Sequence, residues 1–98
     1  MKKLELKEMS LQLDAGSKDK ATYGDVIRFV LNTVPQGGFT PAAMRSRLRL
    51  LDLLDNADGE IEMEDADAKE LRTAVAAQKW NVMHKDILQF CDDVEAMK

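Results

Sequence analysis

Arg45, Arg47 and Arg49, three arginines at alternate positions, are followed closely by Asp52, Asp55, Asp58, Glu60, Glu62, Glu64, Asp65 and Asp67 with no base among them. These residues have the types and spacing to do chemistry. On a helix Arg45 and Arg49 fall one turn apart, where they could contact successive phosphates, and Arg28 adds to the same basic half. The carboxylates offer oxygen atoms to a cation or a complementary face to a basic partner. Catalysis has less support. His84 sits near an expected helix start with no serine or cysteine nucleophile fixed beside it, and reads as a cap or a surface residue. Cys91, next to Phe90 and three residues before Val94, falls on an apolar stripe and reads as a small core residue. The acids are strung along faces expected to be solvated and do not suggest a pair held in a cleft. These features predict a protein that is not an enzyme and carries no cofactor.

The segment from Leu54 to Asp65 has a more specific pattern. Asn56, Asp58, Gly59, Ile61 and Glu62 stand at the third, fifth, sixth, eighth and ninth places of a twelve-residue loop, and in this the segment resembles the calcium loop of the EF-hand family. The resemblance implies a calcium site with oxygen ligands from Asn56, Asp58 and Glu62. The sequence departs from the pattern at the first place, Leu54 for an aspartate, and at the last, Asp65 for a glutamate. The alternative is a helix end, an Asp58-Gly59 turn and an edge strand whose outward glutamates keep it soluble. The arginines admit a helix-turn-helix-like reading, in which a helix over 22–34 supports a reader over 41–56 and 60–64 forms a wing. Glu60, Glu62 and Glu64 on that wing would repel a nucleic-acid backbone.

The elements that must position these residues can be read from periodicity. Lys3 to Leu13 alternates, and a bulge near Lys7-Glu8 would bring Leu4, Leu6, Met9, Leu11 and Leu13 onto one face of a strand, with a helix as the rival reading. The polar stretch 14–20 reads as a loop. Thr22 to Asp25 matches a capping box, and Tyr23, Val26, Ile27, Val30, Leu31 and Val34 then recur at helical spacing until Pro35. Thr40-Pro41 starts a second helix running to about Asn56. Its apolar stripe is expected to be Met44, Leu48, Leu51 and Leu54, flanked by Leu50, Leu53 and Ala57. Its polar face would hold Arg45, Arg49, Asp52 and Asn56, with Arg47 and Asp55 on the flanks. Glu60 to Glu64 alternates as a short strand with Ile61 and Met63 inward. Asp65 is expected to cap a third helix to Lys79, seamed by Ala68, Leu71, Val75 and Gln78. A fourth, from about His84 to Met97, carries Ile87, Phe90, Cys91, Val94 and Met97. Trp80, with Val82 and Met83, reads as core packing, a third short strand or an exposed contact.

Composition bounds the rest. The chain has 98 residues, 45% of them hydrophobic and 33% charged, which suits one small domain. Its net charge of −4 divides unevenly. Residues 1–49 carry nine bases and five acids, and residues 50–98 carry five bases and thirteen acids, giving +4 and −8. No apolar run approaches a membrane span, no secretory leader is readable, and one cysteine with one histidine cannot build a thiolate or histidine metal cage. A cytoplasmic protein is expected. The fold expected is α+β, about four helices with a long amino-terminal strand and a short central one, forming a small sheet open to completion by another chain. The functional expectation is a protein–protein interaction module, self-associating as a homodimer, with a nucleic-acid-binding regulator as the alternative and a degenerate calcium loop third. Strand pairing would use Leu4, Leu6, Met9, Leu11 and Leu13. Arg45, Arg47 and Arg49 would face Asp58, Glu60, Glu62 and Glu64, and Trp80 would add apolar contact. In size and acidity the chain is similar to small accessory proteins of phages and mobile elements.

Overall fold

The computed structural model describes residues 1–9, 21–80 and 83–97. Strand β1 (Lys2–Glu5) precedes helices α1 (Tyr23–Asn32) and α2 (Pro41–Asp55), strand β2 (Glu60–Met63), and helices α3 (Asp65–Ala77) and α4 (Lys85–Glu95). This is an α+β fold. The two strands pair antiparallel, with Lys2 opposite Met63, Lys3 opposite Glu62, Leu4 opposite Ile61 and Glu5 opposite Glu60. Alternation decides what faces inward, since Leu4, Ile61 and Met63 are buried while Lys3, Glu5, Glu60 and Glu62 are exposed.

The amino-terminal strand is shorter than its alternation suggests, because the chain changes pairing partner. The Leu6 N–H donates to the Gly59 carbonyl at 2.9 Å and extends the ladder with β2. Beyond it, the Met9 N–H donates to the Ala21 carbonyl and the Tyr23 N–H to the Lys7 carbonyl, joining 7–9 to 21–23 through a bridge between Glu8 and Thr22. In extended chain, neighbouring residues direct their hydrogen-bonding groups to opposite edges, so 7–9 pairs on the edge away from β2. Met9 is buried and Leu6 half-buried. Leu11 and Leu13 lie outside the described residues.

Local chemistry starts the helices. Thr22 and Asp25 complete a capping box on α1, with the Thr22 N–H donating to Asp25 at 3.0 Å. Thr40 caps α2 by accepting from the Ala43 N–H at 3.1 Å, with Pro41 as its first residue. His84 Nδ1 accepts from the Asp86 N–H at 3.0 Å and caps α4. Helix α3 differs from expectation. Glu64, not Asp65, is its N-cap residue and makes no side-chain capping bond, while Asp65 and Asp67 lie in the first turn, where carboxylates favour the helix dipole. The helix ends at Ala77, so Gln78 is its C-cap and not part of a seam.

The core joins all six elements. Val26, Ile27 and Val30 of α1, Leu50 of α2, Ile61 and Met63 of β2, Leu71 of α3 and Phe90 and Val94 of α4 are at most 1% exposed. Each such side chain contributes about 1.5–3 kcal/mol relative to an exposed one. Tyr23 meets Phe90 edge to face, ring centroids 5.0 Å apart. Cys91 is half-buried against this core, and burial pushes its thiol above the usual range.

The orientation of α2 corrects the sequence reading. Its buried residues are Ser46, Arg47, Leu50 and Leu54, whereas Met44 and Leu48 are 47% and 57% exposed and Leu51 is half-buried. The helix is turned so that a polar pair enters the protein and part of the expected apolar stripe faces out.

Candidate interaction surface

The three arginines have three different fates. Arg47 enters the space between α1, α2 and α3, and its side chain is only 9% exposed. Its Nε donates to Glu70 Oε1 of α3 at 3.0 Å, and its Nη1 donates to the carbonyls of Leu31 and Thr33 at 3.1 and 3.2 Å. Phe39 lies under the guanidinium, 5.0 Å from carbon to ring centroid. Those carbonyls belong to the end of α1, which has no base in its last turn and whose terminal carbonyls have no intrahelical partner. Arg47 therefore completes a neighbouring helix.

Arg49 grips Asp67 of α3 with two nitrogens, at 3.2 and 2.8 Å, and also donates to Ser46 Oγ at 3.2 Å. The Asp67 side chain is 3% exposed. The Arg49 hydrogen bonds hold the Asp67 carboxyl below the usual range, and Asp67 in turn raises Arg49. Arg45 is exposed and makes no hydrogen bond or ion pair among the described residues. The arginine triplet is not a common face.

The acidic residues separate similarly. Asp55 accepts from Arg28 Nη2 at 2.7 Å and Asp67 is held by Arg49. Asp52, Asp58, Glu60, Glu62 and Glu64 are exposed, and their carboxylates have no hydrogen-bond partner or ion pair among the described residues. A cleft between the carboxyl half of α2 and β2 is lined by Met1, Arg49, Asp52, Leu53, Asn56, Glu62, Glu64 and Asp67. The calcium-loop resemblance does not gather its ligands. Leu54 is buried in α2, Asn56 donates to the Asp52 carbonyl at 2.9 Å, Glu62 lies on β2 and Asp65 begins α3. Among the described residues no three His, Cys, Asp or Glu side chains are grouped to hold a metal.

Two further polar junctions were not visible in the sequence pattern. Tyr23 Oη donates to Asp93 Oδ2 of α4 at 2.5 Å, where Lys7 Nζ approaches to 3.3 Å and Gln89 donates to the other oxygen at 3.0 Å. Burial, reinforced by Asp93, pushes the Tyr23 hydroxyl up, while that hydroxyl's hydrogen bond holds Asp93 down. Arg72 of α3 donates to the Val94 and Met97 carbonyls at 3.2 and 2.8 Å and closes the end of α4, another helix without a base in its last turn. None of the four helices has a base in its last turn, so that absence does not single out α1 and α4, and the two completing arginines carry no distinguishing signal in the sequence.

Of the candidate contact residues, Leu4 and Met9 are core. Trp80 is partly buried against the core and also faces Phe29, ring centroids 6.4 Å apart. Exposed apolar side chains include Phe29, Val34, Met44, Leu48, Leu53, Met83 and Leu88. No helix among the described residues is long and apolar enough to cross a membrane. Compared with protein-family models, curated proteins and solved structures, the chain matches none of them.

Proposed function

We propose that this chain is a small, non-enzymatic protein–protein interaction module of the cytoplasm, and that it associates with itself. The observation that carries this reading is the outward apolar stripe of α2. Met44 and Leu48 are about half exposed on a helix whose buried residues are Ser46, Arg47, Leu50 and Leu54, and Leu51, partly packed against the core, continues their line. Burying such a stripe against another surface drives association, while unpaired charges beside it set orientation. Strand addition has less support as the route. Leu4 and Met9 are already buried, and residues 7–9 already pair with 21–23. A nucleic-acid surface would have Arg45 but not Arg47, which is enclosed, and Arg49 would have to leave Asp67.

Multi-angle light scattering over a concentration series tests the reading. The expected result is a mass that rises above that of one chain as concentration increases. A single-chain mass at every concentration up to about 1 mM, at low and high salt alike, excludes self-association stronger than that range.

A further inference from the structure

The sides of the α2 stripe differ in a way that identifies a partner. Met44, Leu48 and Leu51 follow one another at four- and three-residue spacing, the seam of a two-helix contact. The next position in that line, Asp55, is held by Arg28 at 2.7 Å. Along one flank of the seam, Arg45 and Asp52 stand seven residues apart, about two turns, so they share a side of the helix. Both are exposed, and neither charge has a partner among the described residues. Leu48 lies near their midpoint.

We infer that the partner of this face is a second copy of the chain, docked antiparallel along α2 with the two-fold axis close to Leu48. The inference rests on the self-association proposed above and specifies its surface. An isologous contact brings each residue before the axis against the corresponding residue beyond it. Arg45 of each copy then meets Asp52 of the other, forming two equivalent ion pairs beside a seam of Met44, Leu48 and Leu51. A parallel two-fold pairing would put Arg45 and Asp52 of one copy on the opposite side of the seam from those of the other, so neither charge would meet its complement; the antiparallel pairing uses both. One helix face is smaller than a standard interface of roughly 1,600 Å², so the dimer is expected to be weak and concentration dependent.

Charge reversal tests both surface and orientation. In sedimentation equilibrium, R45E and D52R should each weaken the dimer by roughly tenfold at low salt, because each creates two like-charge contacts. An equimolar mixture of the two variants should regain wild-type affinity as a mixed dimer. There the two substituted positions face each other with their charges exchanged, and the native pair of Arg45 and Asp52 forms at the other contact. L48E, at a position that is 57% exposed and can be checked for folding by circular dichroism, should remove the dimer. A wild type that dimerises while L48E dimerises equally well overturns the α2 face and leaves self-association standing. Loss of the dimer in L48E without rescue in the mixture overturns the antiparallel pairing. A wild type monomeric throughout overturns this inference and the self-association together, and binding of the face only to a different protein overturns the second copy as its occupant.

Discussion

Arg47 satisfies one carboxylate and two carbonyls from a position with little access to water. Replacing it with methionine keeps an unbranched apolar stem but strands Glu70 and the end of α1. R47M should cost about 3 kcal/mol or more in urea unfolding, measured where the chain is monomeric. R45A, which removes an unpaired exposed charge, should stay within about 0.5 kcal/mol of wild type in the same measurement. Three other residues contribute to the pH dependence of stability. Asp67 and Asp93 have carboxyl groups held low in the folded state, so their contribution is present above the unfolded value of about 3.9 and is lost as the solution is acidified below it. Tyr23 is raised, so its contribution is complete below the unfolded value of about 10 and declines as pH rises beyond it. D67N should flatten the acid limb of a stability–pH curve, and Y23F should flatten the alkaline limb. A D67N curve that falls as steeply as wild type below pH ~4 would contradict the Asp67 assignment.

The two-stranded sheet carries a local conflict on its exposed face. Lys3 opposite Glu62 is favourable, but Glu5 opposite Glu60 sets like charges across the ladder. E60K should therefore stabilise the protein by about 0.2–1 kcal/mol, read as a higher urea midpoint. D58K, in the turn with no cross-strand partner, is the matched control and should gain less. Caps, periodicity and turn residues made most elements legible: the Thr22 box, Thr40-Pro41 and the alternation over 60–63 all correspond to structure. The face of α2 was not legible, because hydrophobicity alone ranks Met44 and Leu48 above Ser46 and Arg47 for burial. The need that reverses this ranking is polar and comes from other elements, namely the open carbonyls of α1 and the carboxylates Glu70 and Asp67 on α3. The length of the amino-terminal strand was hidden for a related reason, since alternation reports which face is apolar and not which neighbour the backbone bonds.

Across the molecule, the opposition between a +4 half and a −8 half becomes a set of tertiary joints: Arg28 with Asp55, Arg47 with Glu70, Arg49 with Asp67 and Lys7 with Asp93. Each joins residues at least 18 positions apart. The unpaired charge of α2, β2 and the turn between them is therefore reduced to Arg45 and a group of exposed acids. The arrangement at the ends of α1 and α4 has a consequence for cooperativity. Each helix is finished by an arginine that arrives from another helix, so neither end can be fully hydrogen-bonded while the tertiary structure is open. Fraying of one helix releases a guanidinium, buried for Arg47 and partly buried for Arg72, and local opening is thereby tied to wider opening. Native-state hydrogen exchange should show the amides in the last turns of α1 and α4 exchanging with free energies close to that of global unfolding, and R72A should lower protection at the end of α4 more than at the end of α1.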